Sequence, residues 1–314
     1  MNYQLDGKRV WVAGHRGMVG GATARRLASE GCEVITAGRD VVDLTRQSEV
    51  EAFLKDARLD AIVMAAAKVG GILANDTKPA EFLYENLMIE ANIVAAAHEN
   101  DVDRFLFLGS SCIYPKFAPQ PIPEDALLTG PLEATNEWYA IAKIAGIKLA
   151  QAYRKQYGRD YISAMPTNLY GPGDNFDLQS SHVMPAIIRK AHQAKLNGDK
   201  TITVWGTGTP RREFLHAEDC ADALVFLLKS YSGYEHVNVG SGEDVTILEL
   251  TQLVCEVVGF EGEIVHDLSK PDGTPRKLMS ADRLRGMGWA PRIGLREGIA
   301  QTYDWFLANQ ERWQ

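Results

Sequence analysis

Residues 8–31 read KRVWVAGHRGMVGGATARRLASEG. KRVWVAG (8–14) is an apolar run ending in glycine, the pattern of a buried strand. GHRGMVG then sets Gly14, Gly17 and Gly20 three residues apart, and GGATARRLASEG (20–31) carries a helical pattern closed by Gly31. A strand, a glycine-rich turn and a helix in that order make a phosphate cradle. The glycines allow a tight turn and close approach of a pyrophosphate, while the helix N-terminus offers free N–H groups and the positive end of its dipole. A glycine triplet alone is weak evidence, so its context decides.

That context repeats along the first half. Strands are expected at CEVITAG (32–38), DAIVMAAA (60–67), DRFLFLGS (103–110) and DYISAMP (160–166). Between them lie helical patterns at QSEVEAFLKDA (47–57), 79–100 and 136–158. Such alternation predicts βαβ units in a doubly wound, Rossmann-type α/β fold, with a parallel sheet between helices and ligands beyond the carboxyl ends of its strands. The second half is less regular. Helices are expected at 183–198, 218–230, 246–259 and 295–310 and a strand at HVNVGSG (236–242). ITVWGTGTPRREFLH (202–216) starts as a strand and then reads as a Gly/Pro-rich loop. We expect a dinucleotide-binding domain over 1–170, to which 213–240 returns, and a smaller mixed α/β substrate lobe from 171–212 and 241–314.

The 314 residues carry a net charge of −8 and 46% hydrophobic residues. This suits a globule with a sizeable core and argues against a nucleic-acid binder, whose footprint is basic. The N-terminus has no apolar signal core, and no apolar run is long enough to span a bilayer. Four cysteines, Cys32, Cys112, Cys220 and Cys255, include no C-x-x-C pair, so neither a metal site nor a disulfide framework is expected. A cytoplasmic enzyme that binds no membrane is the expectation.

At the end of the second expected strand, AGRDVVDL offers two cofactor choices. Asp40 suits the ribose hydroxyls of NAD. Arg39, with Arg16 from the glycine turn, suits the 2′-phosphate of NADP, and two arginines favour NADP(H); Asp43 and Leu44 would then lie beside the adenine. Tyr139 and Lys143 in WYAIAK are four residues apart, on one helical face. An ammonium beside a phenol favours the phenolate, so Tyr139 is expected to exchange protons below the usual value of about 10.

A glycine turn, a Ser-bearing strand end and a Tyr-x-x-x-Lys helix together resemble the extended short-chain dehydrogenase/reductase family. The resemblance implies that Ser110, rather than Ser111, acts with Tyr139 and Lys143. It places the cofactor along Gly14, Arg16, Gly17, Met18, Val19 and Gly20, then Leu108, Gly109, Ser110 and Ser111, and PTNL at Pro166, Thr167, Asn168 and Leu169, with His182 also near it. LGSSCIYP (108–115) poses a further question, because a thiol behind two serines has no task in a plain reductase. GHRGMVG, AAAKVGGI, LGSSCIYP, TNEWYAIAKIAGIKL, MPTNLYGPGDNF, SHVMPA, VWGTGTPRREFLH and KPDGTPRK together resemble the GDP-L-fucose synthase family.

That family converts GDP-4-keto-6-deoxy-D-mannose to GDP-L-fucose with NADPH, epimerising C3 and C5 before reducing the C4 ketone. The resemblance implies Cys112 as the base and His182 as the acid of epimerisation. Ser110 and Tyr139 would hold the C4 oxygen, and Lys143 would tune Tyr139 and hold the nicotinamide ribose. A thiolate suits the base role where positive charge lies nearby. Three basic pairs, Arg189–Lys190, Arg211–Arg212 and Arg276–Lys277, suit a diphosphate. Of these, the resemblance assigns Lys190, Arg212 and Lys277 to the GDP-sugar, together with Trp205. It also implies a homodimer through helices 79–100 and 136–158. Many relatives have an acidic residue where Ser280 stands in KLMSAD, which bears on nucleotide recognition if that position meets the ligand.

Cysteines are among the most buried residue types, so Cys32, Cys220 and Cys255 read as core. His98 and His192 lie in helical patterns, and His216 reads as structural. Two other functions fit the sequence: an NAD-recycling sugar-nucleotide 4-epimerase or 4,6-dehydratase, and a non-catalytic NADP sensor on the same fold. The dehydratase pattern carries an acidic pair where Cys112 and Ile113 stand, and sensors commonly lose the Tyr or Lys retained here.

Overall fold

The apolar runs of the first half become the strands of one parallel sheet in a computed structural model that describes residues 2–178, 180–270 and 272–313, without the side chains at 72 and 73. Pro271, inside KPDGTPRK, falls outside the described residues. In chain order come β1 (Arg9–Ala13), α1 (Met18–Leu27), β2 (Glu33–Ile35), α2 (Gln47–Ala57), β3 (Ala61–Met64), α3 (Ile72–Thr77) and α4 (Pro79–Glu99). Then follow β4 (Arg104–Leu108), α5 (Glu137–Tyr157) and β5 (Asp160–Pro166). β3 and β4 are buried at every position, as strands covered on both faces must be. Strand β2 is shorter than its apolar run because the chain turns at Gly38, whose carbonyl accepts from Val41 and Val42 N–H.

The strand order is β2-β1-β3-β4-β5-β9, where β9 is Val237–Val239, and each pairing is parallel. The chain leaves β1 towards one edge and returns to the other side, so the order reverses between β1 and β3. That reversal opens a crevice at the strands' carboxyl ends. One core, under α2, α4 and α5, includes Trp11, Phe105, Phe107 and Ile147. The other, under α1 and α7 (Ala217–Ser230), includes Val10, Leu106, Leu224 and Leu228.

The remaining elements are β6 (Asn168–Tyr170), α6 (Val183–Asn197), β7 (Thr201–Trp205), β8 (Arg211–His216), β10 (Asp244–Thr246), α8 (Ile247–Val258), β11 (Glu263–Asp267), β12 (Arg276–Lys277), α9 (Asp282–Gly286) and α10 (Leu295–Ala308). The expected loop over 206–216 holds only in its first part. Arg211–His216 is a strand, parallel to β6 and β12 and antiparallel to β10. Its Arg and Glu residues carry no strand signal; pairing with partners distant in sequence sets its conformation. Phe176, Ile188, Phe214, Val254 and Phe306 belong to a third core, under α6, α8 and α10. Leu284 and Trp289 pack instead in the α1/α7 core, so this late segment returns to the large sheet.

Candidate active site

A cleft of ≈ 1930 Å³ runs from the glycine turn to the second lobe. Single small-molecule sites occupy about 300–1,000 Å³, so there is room for a dinucleotide and a second ligand. The residues singled out above for cofactor, chemistry and substrate all line it, from Gly14 to Lys277. Asp40 does not; it pairs with Arg16 at 2.9 Å on the exposed rim. Arg16 and Arg39 therefore face the cleft at the place where the acidic alternative turns away.

The turn after β1 is built for close approach. Gly14 has φ +89°, and a Cβ there would lie 2.7 Å from the Ala66 nitrogen beyond β3. A Cβ on Gly20 would lie 2.2 Å from the Gly14 carbonyl oxygen. Only glycine fits either place. Gly17 caps α1 without a side-chain hydrogen bond, which leaves the first-turn N–H groups beside the cleft. These residues fit a dinucleotide pyrophosphate.

At the other end, β4 delivers Ser110 as N-cap of a short 3-10 turn over Ser111–Ile113, and its Oγ accepts from Cys112 N–H at 3.3 Å. Ser111 is buried at the cleft wall. Cys112 Sγ accepts from Asn136 Nδ2 at 3.3 Å and from Lys277 Nζ at 3.6 Å. Thus α5's N-terminus and β12 both aim a donor at the sulfur. His182 caps α6 on the opposite lobe and opens to the cleft. Desolvation by the surrounding wall, then the Lys277 charge, push its imidazole below the ordinary value.

Tyr139 hydrogen-bonds Ser110 and lies edge-on to Phe82, with ring centroids 6.5 Å apart. The expected lowering of its phenol is overturned. Burial, then Cys112 and Glu90, push it above its ordinary value despite the Ser110 hydrogen bond. The main reason is burial of the phenol, and Lys143, 5.9 Å from the Tyr139 ring centroid, is itself paired with Glu90 at 3.0 Å. Its charge is met before it reaches the phenol.

Two of the three basic pairs divide their work. Arg189 donates to the Phe176 and Trp313 carbonyls, whereas Lys190 faces the cleft. Arg211 and Arg276 both grip Asp244, at 2.8 and 2.5 Å; Arg212, Lys277 and Arg276 line the cleft, and Arg211 does not. Burial lowers the ammonium of Lys190 and the guanidinium of Arg212, the latter against an opposing pull from Glu133. Trp205 is exposed, its ring 5.3 Å from Lys190 Nζ and 5.4 Å from Lys270 Nζ. Ser280 lies away from the cleft lining; its hydroxyl donates to Asp282 at 2.8 Å. The acidic-to-serine departure therefore does not touch the candidate site.

Residues 10–240 match the NAD dependent epimerase/dehydratase family. The GDP-L-fucose synthase of Sinorhizobium fredii is 65% identical over 307 residues, 98% of either chain. That of Escherichia coli is 53% identical, covering 99% of this chain and all of its own. This chain belongs to the GDP-L-fucose synthase family. A GDP-L-fucose synthetase from Naegleria fowleri, solved bound to NADP, has the same fold with TM-score 0.90 at 26% identity, covering 100% of this chain and 98% of its own.

Three residues of this GDP-L-fucose synthase family member escaped the sequence reading. Asn136 holds an N-cap position but does not cap; its amide serves the Cys112 sulfur instead. Glu90 stands alone as an acid in the run LMIEANIV, the one visible sign of a buried carboxylate. Asp174, in GPGDNF, is a buried cleft residue pushed by burial up to about 7, its Oδ1 accepting from Asn175 N–H at 2.7 Å. Nothing in its sequence surroundings marks it. The residues read as core or structural sit so: Cys220 and Cys255 are buried, Cys32 is half-buried, and His216 Nδ1 accepts from Glu218 N–H at 3.3 Å. His98 accepts from Arg159, and His192 meets Tyr303 Oη at 3.0 Å.

Proposed function

We infer that this chain converts GDP-4-keto-6-deoxy-D-mannose to GDP-L-fucose with NADPH. The observation that carries the reading is one cleft that holds Ser110, Tyr139 and Lys143 on the large lobe together with Cys112 and, across from it, His182. A plain reductase needs only the first three.

The C3 and C5 protons are acidic because the C4 carbonyl takes up the charge as an enolate. Cys112 is the base, with Lys277 and Asn136 as donors to its sulfur. His182, from the facing lobe, returns the proton on the other side of the ring. Burial and the Lys277 charge lower its imidazole, which makes the protonated form a stronger acid but one whose population falls as pH rises. Ser110 and Tyr139 hydrogen-bond the C4 oxygen throughout and so stabilise the enolate. When bound, NADPH supplies the hydride to C4, and Tyr139 then gives its proton to the oxygen. One pair of donors thus serves both reactions on one oxygen.

Gly14–Gly20 would hold the dinucleotide's pyrophosphate and Arg16 and Arg39 its 2′-phosphate, on a domain formed by 1–170 and 213–240. The GDP moiety lies toward Lys190, Trp205, Arg212 and Lys277 of the second lobe. A homodimer through α4 and α5 is supported by Tyr84, Trp138 and Ile141, large apolar side chains exposed on these two neighbouring helices. A catalytic thiol suits a reducing, cytoplasmic compartment.

The test is loss of reduced-nicotinamide absorbance with purified protein, NADPH and the keto sugar, followed by identification of the product. Stoichiometric NADPH loss with GDP-L-fucose formed is expected. GDP-rhamnose as product would demote Cys112 and His182 to structure, and no NADPH loss would overturn the reading.

A further inference from the structure

Lys143 and Glu90 are each 2% exposed, and Lys143 Nζ stands 3.0 Å from Glu90 Oε1. Among the described residues no other ion pair has both members so buried. The geometry around it is specific. Gly146 lies three residues beyond Lys143 on α5, and a Cβ there would come within 2.7 Å of Glu90 Oε2 and 2.3 Å of the Phe107 ring. Phe107 in turn lies under the ammonium, its centroid 4.8 Å from Nζ. The helix therefore gives up a side chain to admit the carboxylate. Stability does not explain this, because burying two charges costs desolvation that their attraction only about offsets.

The direction of the reaction does explain it. Reduction of a ketone begins with a protonated acid: hydride adds to the carbon, the carbonyl π pair moves to the oxygen, and a proton must meet it there. An unopposed lysine ammonium beside Tyr139 would favour the phenolate, the form that an alcohol oxidation needs. We propose that Glu90 is a positioning residue whose buried carboxylate holds Lys143 and opposes its field at Tyr139, so that Tyr139 enters the reaction as the protonated acid. The proposal rests on the reading of Tyr139 as the proton donor to the C4 oxygen. The proton leaves Tyr139 Oη for that oxygen, and the resulting tyrosinate regains one from solvent through the cleft.

The charged and titratable groups that face Tyr139 are Cys112 from the turn after β4, Glu90 from α4 and Lys143 on its own helix; Glu90 in turn meets Lys143 and Tyr139. Burial raises the Glu90 carboxyl and the Lys143 charge opposes that rise.

The experiment compares pH profiles of NADPH oxidation for the intact enzyme, Glu90→Gln, Glu90→Asp and Tyr139→Phe. In Glu90→Gln the alkaline limb should move down by about one pH unit, the effect of exposing a phenol to an unopposed neighbouring cation. Glu90→Asp, which keeps the charge, should lie between the two. A Glu90→Gln limb that superposes on the wild-type limb, with Tyr139→Phe inactive, overturns the role of Glu90 and leaves the active-site reading intact. A fully active Tyr139→Phe overturns that reading itself. Should Glu90→Gln fail to fold, the ultraviolet tyrosinate titration of wild type minus Tyr139→Phe decides: Tyr139 must remain a phenol at neutral pH, and a neutral-pH tyrosinate overturns the proposal.

Discussion

Lys277→Met removes the cation beside the Cys112 sulfur. Lys277 Nζ donates to Sγ at 3.6 Å. For an ammonium and a sulfur anion at that separation, Coulomb's law gives about 1 kcal/mol in bulk water and about 4–5 kcal/mol at an effective dielectric of about 20. Lys277 is half-buried on an open cleft, which puts the attraction between these limits, at about 2 kcal/mol. Lost from the proton-abstraction step, that is a slowing of about 30-fold. The assay is uptake of solvent deuterium at C3 and C5 of the keto sugar, read by mass spectrometry without NADPH, so that hydride transfer does not enter. Lys277→Arg keeps the charge and should retain most of the exchange. Lys277→Met also relieves the smaller of the two downward influences on His182, so the pH at which His182 loses its proton, the alkaline limb of the exchange profile, should move up while burial still holds it below the ordinary value. A Lys277→Met enzyme that exchanges deuterium at the wild-type rate would refute the reasoning, and the sulfur would not need its cation.

Gly20→Ala should weaken NADPH binding more than tenfold, because the new Cβ meets the Gly14 carbonyl oxygen at 2.2 Å and backbone must shift; fluorescence titration reads it, and unchanged affinity would count against a pyrophosphate on this turn. Arg39→Ala should weaken NADPH by about 10- to 100-fold, the loss of a charge-assisted contact of about 1.5–3 kcal/mol, and leave NADH untouched. An unchanged NADPH/NADH preference would remove Arg39 from the 2′-phosphate site. For Asp244, burial raises the carboxyl, but hydrogen bonds from Arg276 and Arg211 outweigh it and hold the group below its ordinary range. Its stabilisation is therefore complete above the unfolded value of about 4 and is lost as pH falls through the folded value. Asp244→Asn should unfold more easily at pH 7 by about 1.5–3 kcal/mol, with the gap narrowing in acid. A gap independent of pH in denaturant titrations would show that the carboxylate's charge is not what ties β10 to β8 and β12.

The sequence by itself determined the large lobe. Short apolar runs such as AIVM and RFLFL, set between helical patterns, read as strands buried on both faces, and a glycine turn after the first strand, RVWVA, points to a dinucleotide. Ser110 and Tyr139 were legible as strand-end and helix-face positions, which local sequence specifies, whereas the role of Cys112 came only from the family resemblance. What tertiary structure decided is everything set by partners distant in the chain. Arg211–His216 is a strand because β6, β10 and β12 flank it, not because of its own residues. That Arg189 and Arg211 turn from the cleft while Lys190 and Arg212 face it depends on the Phe176 and Trp313 carbonyls and on Asp244, none adjacent in sequence. The Tyr139 phenol also departs from the local argument, first because packing buries it and then because Cys112 and Glu90 stand near it. A lysine four residues away predicts a phenolate, but Glu90, 53 positions earlier than Lys143, meets that lysine first. Spacing along a helix fixes which groups are neighbours; only the packing of α4 on α5 fixes which charge each neighbour feels.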